Sequence, residues 1–345
     1  MNSDSLPYPY GSPAIGGRIK SRAEDFRVDE ELGFEPSGEG EHLLLQVEKR
    51  GLSTPELVSR LSSDYGLHPR LIGFSGLKDK NALTTQWLSL HLPGKQEPEA
   101  RRPPDGYRVL RASRHRAKLR RGTHKSNLFR IRIREVTDLP ETTLQQLTGL
   151  AGHGMANYFG AQRFGRRGDN VEQALERLAK PRLKRQQKSL LISALRSELF
   201  NQVLAERIRM DFWRRPLDGD VFMLRGSHSI FSELPDAALM QRFDSLDISS
   251  TASLYGTGRS LLGGDALALE RRVRAANPEI VACLEREQSS LQMRPLRVAV
   301  EALEYRLDSR EGVLELQARL PAGSYLTSLL GHFMTEIGED QADLR

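Results

Sequence analysis

The sequence predicts a mixed α/β (α+β) protein of two domains, one inserted into the other. Its 345 residues exceed one average domain and suit two. Strand-like alternation dominates both ends of the chain, whereas helical periodicity dominates the middle from about Gly154 onward. We therefore expect an outer domain of residues 1–153 and 300–345, closed by its C-terminal strands, around an inserted domain of residues 154–299.

The strands of the outer domain are predicted from apolar residues at every second position. In residues 42–49, Leu43, Leu45 and Val47 fall on one side, as in a half-buried strand. In residues 128–134 three apolar side chains alternate with three arginines, which predicts a strand with one cationic face. Further strands are predicted over residues 86–92, 297–307 and 313–320, a flexible leader over 1–17, and an exposed connection over 94–106.

Helices are predicted from capping residues and apolar stripes. For residues 53–67, Ser53 or Thr54 can cap the N-terminus, Pro55 suits the first turn and Gly66 can end the helix. In the predicted inserted domain, apolar residues at helical spacing indicate helices over residues 171–178 and 189–210.

Positive charge is concentrated in one segment. Residues 101–134 contain 13 lysines and arginines but a single acid, Asp105, although the whole chain carries a net charge of only +6. Such a concentration favours a polyanionic partner, with a solvated charged face as the alternative.

Several classes of site find no support in the sequence. It contains no CxxC or HExxH metal motif, no GxxxxGK[ST] phosphate-binding loop and no GxSxG nucleophile motif. The single cysteine, Cys283, cannot form an internal disulfide, and the N-terminus lacks the layout of a secretory signal. No apolar stretch approaches the length of a membrane span, so we expect a cytoplasmic protein.

The strongest chemical signal is the segment Gly73–Trp87, in which Asp79 lies between Lys78 and Lys80. Adjacent cations favour the ionised carboxylate, which suits a nucleophile or a base. A solvated turn would be the better explanation of this triplet if it stood alone. However, GFSGLKDKNALTTQ, residues 73–86, resembles the catalytic loop of the TruD family of tRNA pseudouridine synthases. Six further segments resemble other blocks of that family in the same order: residues 17–42, 124–134, 157–165, 193–208, 218–231 and 320–330.

The resemblance implies a pseudouridine-synthase catalytic domain with a mixed, mainly antiparallel sheet, and an inserted α/β domain, the TRUD domain. The implied reaction converts a uridine of tRNA, at position thirteen of the D-stem, to pseudouridine. Asp79 matches the essential aspartate of the family, which either attacks C1′ or removes the C2′ proton. Lys20 matches the lysine that pairs with it. The implied reaction has no redox step and gains and loses no group, so we expect the protein to use neither a metal nor an organic cofactor.

Four more residues match substrate-contacting positions of the family: Phe26, Asn127, Phe129 and Tyr325. The three aromatic side chains could equally pack in the core. The RNA backbone is expected to bind Arg120, Arg121, Lys125, Arg163 and Arg166. His115 and His124 are expected to face RNA or solvent. We expect a monomer without a protein partner.

One segment departs from the family pattern. Gly331-His332-Phe333 stands where an Arg-Glu pair is usual, which makes Tyr325 the least secure of these residues. Two other functions are compatible with parts of the sequence. A catalytically idle tRNA-binding or chaperone protein on the same fold should have lost one of the matched site residues. A carboxylate-dependent nucleoside hydrolase would not need the long basic segment.

Overall fold

The computed structural model describes residues 6–94, 106–160, 163–165, 169–178 and 183–339. The chain groups into two compact units. The helical unit comprises Met1–Ala14, Pro140–Val300 and Ser324–Thr335, and the sheet unit comprises Ile15–Leu139, Glu301–Gly323 and Glu336–Arg345. Among the described helices, none has the length and apolar character that crossing a membrane requires.

The sheet unit is built on one ten-stranded sheet. Its strands are β1 Ile15–Ile19, β2 Phe26–Leu32, β3 His42–Lys49, β4 Ile72–Phe74, β5 Leu83–His91, β6 Tyr107–His115, β7 His124–Arg134, β14 Glu301–Asp308, β15 Val313–Pro321 and β16 Met334–Glu339. The main path runs β14-β15-β7-β2-β5-β3-β6. β2 and β5 run parallel, whereas β7 runs antiparallel to both β2 and β15. The predicted mixed, mainly antiparallel sheet is confirmed.

Helix α1, Thr54–Tyr65, follows β3 and covers part of the sheet. Ser53 and Glu56 form a reciprocal capping box, with Ser53 Oγ accepting from Glu56 N at 3.3 Å and Glu56 Oε2 accepting from Ser53 N at 2.6 Å. Gly66 ends the helix at a φ of +61°. The buried Leu57 and Leu61 pack against apolar side chains of β3 and β5. The predicted helix is confirmed, with Ser53 as its cap.

β7 has the predicted apolar and cationic faces. Phe129, Ile131 and Ile133 are buried, whereas Arg130 and Arg132 are exposed. The strand pairs with β2 on one side and with β15 on the other, so it is an interior strand of the sheet.

In its described residues, the helical unit packs seven helices and two small sheets around its own core. The helices are α2 Glu141–His153, α3 Asn170–Leu178, α4 Arg185–Arg209, α5 Ala237–Asp244, α6 Gly264–Ala275, α7 Pro278–Arg286 and α8 Leu326–Leu330. The strands β9 Phe222–Leu224, β10 Ile230–Phe231, β11 Ile248–Leu254 and β12 Gln292–Pro295 form one sheet, and β8 Met155–Ala156 pairs with β13 Arg297–Val298. α4 supplies much of the core through Leu195, Leu199, Phe200 and Leu204.

Some predicted boundaries were wrong. β5 begins at Leu83, so Thr84 and Gln86 lie within the strand. The strand predicted over residues 297–307 is divided into β13 and β14. β6 was not predicted, and most of the predicted connection, residues 95–105, lies outside the described residues.

The two compact units and the predicted domains divide the chain differently at three places. Residues 6–14, 140–153 and 324–335 pack with the helical unit, whereas the prediction assigned them to the outer domain. Packing alone does not assign a role to either part, so the predicted domain ranges stay a prediction.

The segment Gly331-His332-Phe333 belongs to the core of the helical unit. His332 is completely buried, accepts from Ala156 N at Nε2 over 3.0 Å and lies 2.7 Å from Ser328 O through Nδ1. Burial lowers the pKa of His332 to about 4, so the imidazole is neutral, with Nδ1 as its donor. Where the family usually has an Arg-Glu pair, this chain therefore has a buried histidine that connects Ala156 of β8 to Ser328 of α8 by hydrogen bonds.

Candidate active site

Asp79 lies in the loop between β4 and β5, and three neighbours fix this loop. Lys78 N donates to Thr54 Oγ1 over 2.9 Å, and Asn81 N donates to Asp79 Oδ1 over 3.1 Å. Lys49 Nζ donates to the backbone oxygen of Asp79 over 2.7 Å. At the start of the segment, a Cβ on Gly73 would lie 2.4 Å from Leu119 O, so only glycine fits there. The carboxylate is thus held on a well-defined backbone.

Lys20 forms an ion pair with Asp79, as predicted. Its Nζ lies 2.8 Å from Asp79 Oδ2, and the lysine side chain is 6% exposed while that of Asp79 is 33% exposed. Lys20 follows β1 and has a φ of +61°, which costs about 1–3 kcal/mol for a residue with a Cβ. In this backbone conformation the ammonium of Lys20 contacts the carboxylate of Asp79, which solvent can still reach.

The environment keeps Asp79 ionised. Burial raises the pKa of Asp79, but the hydrogen bond and charge of Lys20, the Asn81 amide and the charge of Lys49 together outweigh burial. The pKa of Asp79 therefore lies below its ordinary value. An ionised, partly accessible carboxylate can act as a nucleophile or as a base.

Lys49 is a second lysine close to Asp79, and it was not predicted. It is 1% exposed and donates from Nζ to Leu52 O over 2.5 Å as well as to Asp79 O. Burial lowers the pKa of Lys49 to about 8, although the charge of Asp79 opposes that shift. Transfer of an ammonium group from water into the protein interior costs free energy, so packing alone is a poor explanation for the burial of Lys49.

Two predicted aromatic residues lie beside the ion pair. Phe26 and Phe129 meet edge to face with their ring centroids 6.4 Å apart, and Lys20 Nζ lies 5.0 Å from the centre of the Phe26 ring. Both rings are 8% exposed. They form an apolar wall next to the carboxylate, and their contact with a substrate base stays a prediction.

Asn127 belongs to a buried polar network. Its Oδ1 accepts from Lys78 Nζ over 2.8 Å, and Lys78 Nζ lies 2.7 Å from Glu30 Oε2. Glu30 Oε1 in turn accepts from Trp87 N over 3.1 Å. The network fixes the carboxamide of Asn127, and because its Nδ2 also contacts His124, one amide hydrogen is left that could face a ligand.

His124 closes this network, contrary to the expectation that it faces RNA or solvent. It is 8% exposed, and its Nε2 lies 3.2 Å from Asn127 Nδ2. Burial lowers the pKa of His124. The neutral ring can then accept the amide hydrogen at Nε2.

Three predicted RNA-binding cations lie in the turn region of residues 120–125, which precedes β7 and includes the first two residues of that strand. Arg120, Arg121 and Lys125 are exposed, and none of them has an ion pair within the described residues. This turn lies against the loop of Asp79, because Gly122 N donates to Ser75 O over 2.8 Å. Six other arginines of the basic segment pair with acids from elsewhere in the sheet unit: Arg108, Arg111, Arg116, Arg130, Arg132 and Arg134. The charge available to a ligand is therefore smaller than the sequence count.

The remaining predicted residues belong to the helical unit. Arg163 donates from Nη1 to Ser193 Oγ over 2.9 Å and from Nη2 to the hydroxyl of Tyr325. Its guanidinium also lies 5.4 Å from the centre of the Phe159 ring. Arg166 lies outside the described residues.

Within the described chain, no cluster of three or more His, Cys, Asp or Glu side chains could hold a metal ion.

Comparison with known proteins identifies the family of the chain. The family profile described as tRNA pseudouridine synthase D (TruD) matches residues 4–178 and 166–333. The chain is 41% identical over 334 residues to a tRNA pseudouridine synthase D of Chromohalobacter salexigens, covering 95% of each chain. It is 40% identical over 331 residues to one of Methylococcus capsulatus, covering 95% of this chain and 93% of the relative. The fold is similar to the crystal structure of a candidate tRNA pseudouridine synthase D from Methanosarcina mazei, with a TM-score of 0.71, 21% identity and 96% of each chain covered.

Proposed function

Because the chain belongs to the TruD family of tRNA pseudouridine synthases, we propose that it isomerises a uridine of tRNA to pseudouridine with Asp79 as its catalytic carboxylate. The observation that carries this proposal is the ion pair of 2.8 Å between Lys20 and the partly exposed carboxylate of Asp79. It supplies an ionised carboxylate at neutral pH without further activation.

The reaction exchanges one bond to C1′ for another. The N1–C1′ bond breaks, the uracil turns, C5 bonds to C1′, and the proton on C5 is lost while N1 regains one. Asp79 begins this sequence either by attack on C1′ or by removal of the C2′ proton. In both routes Lys20 orients the carboxylate from Oδ2, while the Asn81 amide holds Oδ1.

The detached uracil needs a site that holds it while it turns. We assign this role to the apolar wall of Phe26 and Phe129 beside the ion pair. Asn127 donates an amide hydrogen to a uracil carbonyl, since Lys78 occupies its oxygen. Extraction of the nucleotide from its helix costs a few kcal/mol, which stacking and hydrogen bonds in the site offset.

We assign binding of the tRNA backbone to exposed cations of the sheet unit and to the partly buried Arg163 of the helical unit. Arg120, Arg121 and Lys125 supply unpaired charge on the turn next to the loop of Asp79. In the helical unit, Arg163 and Tyr325 contact the same substrate. The target uridine is the one at position thirteen of the D-stem, and the protein acts as a monomer in the cytoplasm.

One assay separates this function from its alternatives. Incubation with unmodified tRNA, followed by mapping of pseudouridine, should give one modified position without release of free uracil. An idle tRNA-binding protein would bind tRNA without forming pseudouridine. A nucleoside hydrolase would release the base.

A further inference from the structure

The helical unit contains an open cavity of about 360 Å³ along the first three turns of α4. Three cations and three hydroxyl groups line most of it: Arg185, Lys188, Arg196, Ser189, Ser193 and Ser289. We propose that this cavity binds a phosphodiester group of the substrate RNA, an inference that rests on the proposed function. Guanidinium, ammonium and hydroxyl donors are the groups that proteins use to bind phosphate oxygens.

Arg196 provides the deepest positive charge of this cavity. It donates from Nη2 to Leu254 O over 2.7 Å and to Ser290 O over 2.9 Å, which fixes the plane of the guanidinium. Its Nε is buried and has no hydrogen-bond partner within the described residues. Burial lowers the pKa of Arg196, and no described carboxylate offsets that shift. A partly buried arginine in this state is stabilised by an anionic ligand.

Ion pairs with neighbouring acids do not neutralise all of the positive charge of the cavity. Lys188 Nζ lies 2.6 Å from Glu287 Oε2, so this lysine is neutralised by a neighbour. Arg185 is exposed and, like Arg196, has no ion pair among the described residues. Two uncompensated cations therefore remain, which is enough to attract a singly charged phosphodiester.

Two hydrogen bonds of Arg163 connect Ser193 of the cavity to Tyr325. Ser193 Oγ accepts from Arg163 Nη1, so its own hydroxyl proton stays available to a phosphate oxygen. The same guanidinium donates to the Tyr325 hydroxyl and lies 5.9 Å from the centre of the Tyr325 ring. A phosphate in the cavity would thus be linked through Ser193 and Arg163 to an aromatic residue that is predicted to contact the substrate, and this favours a nucleotide over a free anion.

The test places a negative charge in the cavity. Ser189 is exposed on α4, so Ser189→Asp should fold normally and repel a phosphate. Ser227→Asp, at an exposed serine of the same unit, introduces the same charge elsewhere. We expect Ser189→Asp to weaken tRNA binding on the order of tenfold at low salt. A plot of the logarithm of the tRNA association constant against the logarithm of the salt concentration should also become less steep, with a slope smaller by about 0.7–0.9. This is the contribution of one phosphate contact.

A second pair of variants removes charge. Arg185→Gln should reduce the salt slope in the same way, whereas Arg215→Gln should not, because Arg215 pairs with Asp211 over 2.8 Å outside the cavity. Equal slopes for the wild type, Ser189→Asp and Arg185→Gln would overturn the proposal.

Inorganic phosphate distinguishes the two possible sources of the ligand. If phosphate alone binds the wild type tightly, Ser189→Asp abolishes that binding, and the tRNA salt slope does not change, the cavity is a site for a free anion and the proposal is wrong. Wild-type protein that forms no pseudouridine would contradict the proposed function instead. The slopes of the variants would still report whether the cavity contacts RNA.

Discussion

Lys20 controls the ionisation of Asp79, and this gives a prediction about pH. In Lys20→Met the hydrogen bond and the charge that lower the pKa of Asp79 are lost, whereas the burial that raises it remains. The carboxyl group then protonates at a higher pH. We expect the acid limb of the pH profile of kcat/KM to move to higher pH, with at least a tenfold loss near neutrality. Lys20→Arg keeps the charge and should keep the limb near its wild-type position. An unmoved limb in Lys20→Met would contradict this role of Lys20.

Lys49 holds the loop of Asp79, but its burial lowers the free energy of unfolding. Its pKa is lowered from 10.5 to about 8 in the folded protein, so the unfolded chain binds more protons between these values. Stability of the wild type should therefore rise relative to Lys49→Met as the pH increases from about 8 to 10.5. The charged groups that act on Lys49 are Asp79, Lys78 and Glu56.

Urea unfolding of wild type and Lys49→Met across this pH range measures the effect, with Lys80→Met as a control at an exposed neighbour. At neutral pH we expect Lys49→Met to fold with near-normal stability but to form pseudouridine more slowly, because the loop of Asp79 loses its contact to Lys49. Full turnover in Lys49→Met would show that this contact does not position the carboxylate.

The sequence allowed prediction of the residues that match the family but not of the charged groups behind them. Glu30 and Lys49 were missed because lysine and glutamate at strand positions usually face solvent. A signal was present, since Glu30 continues the inward alternation of Phe26 and Val28, and Lys49 that of Leu45 and Val47. Lys78, the partner of Glu30, and Asp79, a partner of Lys49, lie in the loop between β4 and β5, so local sequence could not identify these contacts.

At the scale of elements, the turn that carries Arg120, Arg121 and Lys125 should supply more tRNA affinity than the paired arginines of the same segment. Replacement of all three by Gln should reduce the salt slope of tRNA binding by about 2–3, at about 0.7–0.9 per phosphate contact. A matched variant neutralises Arg108, Arg116 and Arg132, which pair with Glu48, Glu39 and Glu315. If both triple variants lose the same slope, total charge and not the position of this turn determines binding.

Elements with local start and stop signals could be predicted, whereas elements defined by distant partners could not. α1 was predicted with its cap because Ser53, Glu56 and Gly66 interact within the helix and its ends. β6 was missed because only Tyr107 of its side chains is fully buried, so its alternation is weak. Its place in the sheet depends on pairing with β3 over a long sequence separation.

At the scale of the whole molecule, each unit has its own core, and the helical unit should be sensitive to acid through His332. The pKa of His332 is lowered from 6.5 to about 4 in the folded protein, so the unfolded chain binds more protons between these values. Stability from the neutral ring is therefore lost as the pH falls from 6.5 to about 4. His332→Gln, which keeps a donor and an acceptor, should reduce the acid sensitivity seen in thermal unfolding. An unchanged pH dependence would mean that other groups determine it.

The central claim is that Asp79 carries out the chemistry, and Asp79→Asn tests it most directly. The amide is nearly the same size, so the loop, its contacts to Lys49 and Asn81, and the turn that carries Arg120, Arg121 and Lys125 should all be kept. The measurement is single-turnover formation of pseudouridine in tRNA, together with the affinity for the same tRNA. We predict that pseudouridine formation falls by several orders of magnitude, while affinity changes by less than about tenfold, or about 1.4 kcal/mol. A folded Asp79→Asn variant that binds tRNA and forms pseudouridine at a near-normal rate would contradict the assignment.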